Sequence, residues 1–404
     1  REKYTMFPPH TFKAQHFMKD RLEKLREVAY DMPLNKLEEV EGSDTLIITS
    51  GLMYYNLKEL GLDVSVYKLG LVYPLSEKRM RELADKYKHI IVIEEMMPFI
   101  QDELKLMGIS SKGKEYFNFT GELHIEDIRN GLIKAGVIEG EEKTYQVVDT
   151  VKRPPMFCSG CPHRPVFDVL KKLKVKVIGD IGCYSISALE QWDVSQIMIS
   201  MGATVGMTKG MNKVMRRFQD DEPLVSVIGD GTFFHSGMTG FVNLLHQVDD
   251  EDNMTFIILE NSTTAMTGGQ PNPSSGNFNK EDDMRVNIKK MLSSIGFDNV
   301  REVDQFNYKE VKKVIGEEVK KKGISIIIAT RPCALRFKIK EKNFYVDPKI
   351  CIACRTCVRT NCPPIRMKEY QGIDKLKSFI DPDMCVGCSV CSQVCPVGAI
   401  KRSL

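Results

Sequence analysis

Twelve cysteines constrain this 404-residue chain more tightly than any other feature, because they fall into three sets of four. Eight form two ladders near the end, Cys351, Cys354, Cys357 and Cys362, then Cys385, Cys388, Cys391 and Cys395. The first three of each ladder repeat as C-x2-C-x2-C, and each fourth cysteine precedes a proline, Pro363 or Pro396. Two-residue spacings let one loop wrap three corners of a 4Fe–4S cubane, and in two-cluster ferredoxins the fourth ligand comes from the other ladder. One cluster is therefore expected on Cys351, Cys354, Cys357 and Cys395, and a second on Cys385, Cys388, Cys391 and Cys362. Zinc sites favour paired C-x2-C units, often with histidine, and the tail has no histidine. A disulfide framework would go with export, yet the sequence shows neither a signal-peptide pattern nor an apolar run of membrane-spanning length. The first ladder closes after four residues rather than three, which lengthens a loop without removing a ligand.

The remaining composition is that of a globular protein, 42% hydrophobic and 27% charged, with length for two or three domains. The formal charge of +3 overstates the positive balance, since each cluster with its thiolates is net negative. No basic stripe with interleaved aromatics appears, so nucleic-acid binding has no support. The lysine runs at 171–176 and 320–322 read as solvated helix faces. Cysteine-dense chemistry without an export signal is expected in a reducing, anaerobic cytoplasm.

Residues 1–42 begin at Arg1, contain Pro8-Pro9 and then helical spacing at Phe17, Leu22, Leu25 and Val28, and are expected to be a connector from an upstream domain. From Thr45 the pattern alternates strand and helix. Short apolar runs at 45–49, 64–69 and 89–93 predict a first α/β domain over 43–136, with a parallel sheet covered on both faces. Glu94-Glu95 closes the third run and reads as solvated polar residues at a strand end, with no chemistry assigned. A polar linker is expected over 137–153. Runs at 176–178, 224–228, 254–259 and 325–329 predict a second parallel α/β domain over 154–340. The tail, 341–404, is expected to be a small α+β two-cluster ferredoxin domain, its internal repeat echoed by Asp347-Pro348 and Asp381-Pro382.

Two strand ends in the second domain carry the strongest further signal. Gly229-Asp230-Gly231-Thr232 follows one run, and Asn261-Ser262-Thr263 follows the next. Glycines admit a phosphate close to the backbone, and a helix expected to start near Phe233 adds its positive end. Asp230 and Asn261 supply two hard oxygens for Mg²⁺ on a diphosphate, with the Thr263 carbonyl as a third. A lone Gly-Asp-Gly is most often just a tight turn; with Asn261 at the next strand end it is the thiamine-diphosphate arrangement.

Three strings, Phe157 to Arg164 (FCSGCPHR), Gly179 to Tyr184 (GDIGCY) and Thr263 to Gln270 (TTAMTGGQ), closely resemble the alpha subunit of indolepyruvate:ferredoxin oxidoreductase. That subunit is a thiamine-diphosphate-dependent 2-oxoacid:ferredoxin oxidoreductase with a two-cluster tail. The resemblance implies a transketolase C-terminal-like fold for 43–136. It also implies a third, proximal cluster on Cys158, Cys161, Cys183 and Cys333, next to the thiamine, with Gly182 in the cofactor loop. It implies oxidative decarboxylation of aryl 2-oxoacids to acyl-CoA, with coenzyme A, an external ferredoxin and a smaller beta subunit as partners in a hetero-oligomer. The family's N-terminal pyrimidine-binding domain has no counterpart in these residues, so the group that activates the aminopyrimidine is not assigned, and the chain by itself is expected to be inactive. His163 is a candidate to donate to the diphosphate or polarise the substrate carbonyl, and equally a structural histidine. His235, Thr264 and Met266 are further candidates for the pocket wall. Competing readings are an oxidoreductase for pyruvate or branched 2-oxoacids, a polyferredoxin-type electron carrier, and a non-redox thiamine enzyme.

Overall fold

The computed structural model describes residues 2–144, 150–151, 153–276 and 284–403. Arg1 and residues 145–149 and 152 of the expected linker lie outside the described residues. The chain divides into two compact units, 1–150 and 151–404. Among the described residues no helix is long and apolar enough to cross a membrane.

In the first unit the elements run α1 (Pro8–Tyr30), β1 (Lys36–Glu38), β2 (Thr45–Ser50), α2 (Gly51–Glu59), β3 (Ser65–Leu69), α3 (Glu77–Lys86), β4 (His89–Ile93), α4 (Phe99–Leu106) and α5 (Ile125–Lys134). The sheet order is β1-β3-β2-β4. Strands β3, β2 and β4 are parallel, as their unbroken apolar runs require of strands buried on both faces. Alternate residues divide between two cores, Leu46 and Ile48 on one face and Ile47 on the other. One expectation is corrected here. Lys36–Glu38 lies inside the segment read as a connector, yet it pairs antiparallel with β3 as the sheet's edge.

The second unit opens with α6 (Arg164–Leu173), β5 (Lys176–Ile178), β6 (Ser195–Ile197), α7 (Ala203–Arg217) and β7 (Leu224–Gly229). A continuous helical stretch follows, α8 (Asp230–Thr232), a π-turn (Phe233–Gly237) and α9 (Met238–His246), so the helix begins at Asp230 rather than near Phe233. Then come β8 (Asn253–Glu260), α10 (Ile288–Ser294), β9 (Val300–Asp304), α11 (Tyr308–Glu318) and β10 (Gly323–Thr330). These six strands form one parallel sheet in the order β6-β5-β7-β8-β10-β9. Val225, Val227, Ile257 and Ile327 face a core closed by α6 and α11, while Leu224, Ile228, Ile258 and Ile328 face one closed by α7 and α9. Each such fully buried aliphatic side chain stabilises the fold by roughly 1.5–3 kcal/mol. The chain leaves β5 outward to β6 and returns on the other side to β7, so the sheet's direction of growth reverses between β5 and β7. The carboxyl end of such a switch point is where open α/β sheets bind ligands.

The tail belongs to the same compact unit. It contains β11 (Phe344–Val346), β12 (Ile365–Tyr370), β13 (Ile373–Ile380), the one-turn α12 (Val390–Gln393) and β14 (Ile400–Arg402). β11 pairs antiparallel with β14, and β12 with β13. Val390, Cys388 and Val394 pack into the core that α6 and α11 close, and Gln393 accepts from Tyr308 N at 3.0 Å and donates to Phe306 O at 2.7 Å. The cysteine ladders are therefore fixed to the α/β sheet by a shared core.

Candidate functional site

The loops after β5, β7 and β8 enclose one cleft at the switch point, lined by His163, Gly182, Cys183, Gly229, Asp230, Gly231, Thr232, Asn261 and Thr263. Thr264 and Met266 also line it, whereas His235 is exposed on the π-turn and takes no part, contrary to expectation. Tight packing explains the glycines. A Cβ on Gly182 or Gly229 would lie 2.5 or 2.7 Å from the Tyr184 ring, and one on Gly231 would lie 2.5 Å from Thr264 Oγ1.

Asp230 is buried, and its carboxylate accepts from Gly231 N at 2.7 Å and Asn261 N at 3.2 Å. Burial pushes its pKa up to about 6, against the opposing help of Asn272 and nearby backbone N–H groups. A divalent cation beside the carboxylate would stabilise the charged form that burial disfavours. Carboxylate, side-chain amide oxygen and backbone carbonyl form the hard donor set that Mg²⁺ prefers. Asn272 stands beside Asp230, and its side chain helps to hold the carboxylate in the charged form. The residues present thus fit a diphosphate with its metal.

His163 is 2% exposed, and its tautomer follows from its neighbours. Gln305 Nε2 donates to Ala329 O at 2.7 Å, so its Oε1 faces His163 Nδ1 at 3.4 Å, and Nδ1 carries the proton. Nε2 then accepts from Asn261 Nδ2 at 3.3 Å, which turns Asn261 Oδ1 toward Thr263 N. Burial lowers the His163 pKa to about 4, so the ring is neutral and fixes the amide orientation of Asn261. Gln305 was not anticipated, because it stands 142 positions from His163. Asp180 was also missed as a positioning group. Fully buried, it accepts from Ile181 N, Gly202 N and Thr204 Oγ1, and so ties the loop after β5 to the start of α7.

The proximal cysteines meet beside this cleft. Cys183 lies in its wall, and Cys158, Cys161 and Cys333 are close enough that Cys161 and Cys183 both feel neighbouring thiols electrostatically. Burial pushes the Cys161 thiol up to about 12, which leaves a bare thiolate unfavourable there. In the tail, Cys362, Cys385, Cys388 and Cys391 surround a single cavity. Cys351, Cys357 and Cys395 share the tail's own core, while Cys354 is exposed with Thr356 Oγ1 at 3.4 Å from its sulfur. Among the described residues no three ligand side chains converge on one point to hold a single metal ion. A cubane takes one thiolate per iron, so its sulfurs stand around a cavity instead.

Both ladders share a backbone device. Ala353 and Arg355 in the first have φ of 58° and 59°, and the corresponding Gly387 and Ser389 in the second have 78° and 66°. Alternating left-handed residues turn successive N–H groups inward as an anion-binding nest, a form common around iron–sulfur clusters. Gly160 repeats the conformation in the Cys158–Cys161 turn, with φ of 67°. The aspartates of the internal repeat act alike, each accepting through its carbonyl from the first cysteine of its ladder, Cys351 N at 3.0 Å and Cys385 N at 3.1 Å.

Comparison with known proteins gives two matches to family models. Residues 180–329 match the model of the thiamine pyrophosphate enzyme C-terminal TPP binding domain, and residues 379–401 that of a 4Fe-4S binding domain. Indolepyruvate oxidoreductase subunit IorA of Pyrococcus horikoshii is 29% identical, covering 99% of this chain and 67% of the relative. The subunit of the same name from Methanothermobacter thermautotrophicus is 30% identical, covering 97% and 66%. The chain belongs to the indolepyruvate oxidoreductase IorA family. It spans about two thirds of the length of these IorA relatives. A solved 2-oxoglutarate:ferredoxin oxidoreductase from Magnetococcus marinus aligns over 45% of this chain and 66% of its own, with 18% identity and a TM-score of 0.38.

Proposed function

We propose that this chain carries the diphosphate-binding half of the thiamine site, and the iron–sulfur wiring, of a CoA-acylating 2-oxoacid:ferredoxin oxidoreductase acting on aryl 2-oxoacids of the indolepyruvate type. The observation that carries the reading is that Cys183 stands in the same cleft wall as Asp230 and Asn261. The residues read as a diphosphate site and a thiol of the proximal quartet thereby share one edge of one sheet. Thiamine diphosphate supplies the carbanion chemistry that expels CO₂ from a 2-oxoacid. Asp230, Asn261 and the Thr263 carbonyl would hold Mg²⁺ for the diphosphate, and neutral His163 fixes the orientation of the Asn261 amide. Cys158, Cys161, Cys183 and Cys333 would hold a proximal 4Fe–4S cluster, which would supply one-electron acceptance beside the thiamine. The eight tail cysteines would hold two further clusters between that centre and an external ferredoxin.

The complete enzyme, on this reading, is a hetero-oligomer with a smaller beta subunit and a pyrimidine-binding domain, working with coenzyme A in an anaerobic cytoplasm. The indolepyruvate name of the relatives favours an aryl side chain over pyruvate or branched substrates. The buried Asp230 and its paired Asn261 favour a thiamine enzyme over a pure electron carrier. The test is CoA-dependent ferredoxin reduction by the assembled complex with indolepyruvate, phenylpyruvate and pyruvate in parallel. Preference for the aryl acids is expected; a preference for pyruvate would replace the substrate assignment.

A further inference from the structure

Arg164 opens α6 directly after the Cys158–Cys161 turn and is 3% exposed. Its Nη2 donates to the carbonyls of Phe157 and Cys158, both at 2.7 Å, and its Nε is buried with no hydrogen-bond partner. No aspartate or glutamate pairs with it among the described residues. Asp168, one turn along α6, is instead committed to Lys172 at 2.7 Å and to the Tyr308 hydroxyl at 2.6 Å. A guanidinium stays protonated at any physiological pH. Burying one without an anion costs several kcal/mol, so the fold calls for a negative partner that is not a carboxylate.

The same cavity that Arg164 lines is walled by Cys362, Cys385, Cys388 and Cys391, with Cys161 of the proximal quartet at its edge. The two cysteine loops touch there. A Cβ on Gly160 would lie 2.1 Å from Val386 Cγ2, between Cys385 and Cys388 in the second ladder. Four thiolates and a cubane carry net negative charge, which grows by one on reduction while no bond or proton moves.

We propose that Arg164 is the buried counter-charge of the cluster held by Cys362, Cys385, Cys388 and Cys391, and that it raises that cluster's reduction potential. The inference rests on the reading that this quartet holds a cluster. A fixed cation stabilises the more negative, reduced state more than the oxidised one. Because Arg164 also grips the carbonyls of the proximal turn, it places that stabilisation on the tail cluster that adjoins Cys161.

The test uses the full chain with reconstituted clusters and follows each cluster by EPR during a redox titration, for the unsubstituted protein, Arg164→Gln and Arg164→Lys. Arg164→Gln should move the pocket cluster to lower potential by about a tenfold change in the oxidised-to-reduced ratio, ~59 mV for one electron. The cluster on Cys351, Cys354, Cys357 and Cys395 should not move, and Arg164→Lys should recover most of the shift. A purely structural arginine would change iron content without this selective shift. An unchanged potential in a fully loaded Arg164→Gln protein overturns the proposal. If that variant fails to load, pulsed EPR on the reduced unsubstituted chain labelled with ¹⁵N-arginine decides. Guanidinium nitrogen coupling to one cluster supports the proposal, and its absence refutes it. Iron missing from the quartet in the unsubstituted chain would instead sink the cluster reading beneath it.

Discussion

The two α/β units share an architecture but treat their strand ends differently. In the first, Glu94 at the end of β4 is buried, and its carboxylate accepts from Ile100 N at 2.8 Å and Gln101 N at 3.0 Å, so it caps α4. Thr49 at the end of β2 donates to Ile93 O at 2.8 Å. These strand-end polar groups close on the unit itself. In the second unit the equivalent edge holds the buried Asp230, raised by burial as Glu94 is, and a buried guanidinium whose Nε has no hydrogen-bond partner and which meets no carboxylate among the described residues. Buried polar groups are normally satisfied. The contrast teaches that the candidate chemistry of this chain sits where a strand-end edge buries a charge without its partner, not wherever a parallel sheet ends.

The sharpest way to break the comparison is to substitute the two strand-end acids in parallel. Asp230→Ala should weaken retention of thiamine diphosphate by the assembled enzyme more than ~100-fold, since even groups that merely orient a metal ligand cost 10–100-fold when lost. Iron in the tail should stay unchanged. Glu94→Gln should leave cofactor retention intact and cost about 1–3 kcal/mol in denaturant unfolding, as for a buried hydrogen-bonded group. Equal cofactor loss in both variants would erase the distinction.

Glycines give a second, smaller contrast. Gly160 and Gly51 both have left-handed φ, 67° and 55°, but a Cβ on Gly51 meets nothing within 4 Å. Gly51→Ala should cost about 1–2 kcal/mol, the conformational strain alone. Gly160→Ala should add roughly 1–3 kcal/mol of overpacking against Val386 and lower iron content. The same small loss in both would show that the two cysteine loops do not press together.

The smallest effect is a pH dependence. His163 is ordinarily half protonated near 6.5, and the fold lowers this to about 4, so the unfolded chain binds the extra proton first. Its contribution to stability is complete above pH 6.5 and is lost as pH falls toward 4. Between pH 7.5 and 5 it amounts to about 2 kcal/mol. Urea unfolding at both pH values should show that much less acid destabilisation in His163→Gln; an identical pH response would mean that the ring is charged in the fold.

Much of this was legible in advance where the signal was local. Continuous apolar runs placed β2, β4, β5, β7, β8 and β10 within a residue or two. In the two α/β units the strands that were not foreseen, β1, β6 and β9, lie at sheet edges and carry sequences such as Val300-Arg301-Glu302-Val303-Asp304, whose half-exposed faces break the apolar run. The site divides in the same way. Gly229–Thr232, Asn261 and the cysteines announce themselves by spacing. Gln305, Asn272 and Arg164 act through partners or neighbours distant in sequence, and no local pattern marks a buried group whose partner is missing.

The central claim is that all three sets of four cysteines hold 4Fe–4S clusters, one of them beside Asp230. Quantifying iron in the anaerobically reconstituted chain tests it most directly. About twelve irons are expected, four for each cluster, falling toward eight in Cys158→Ser and Cys183→Ser. A count near eight in the unsubstituted chain, unchanged in both variants, would confine the clusters to the tail and contradict the account.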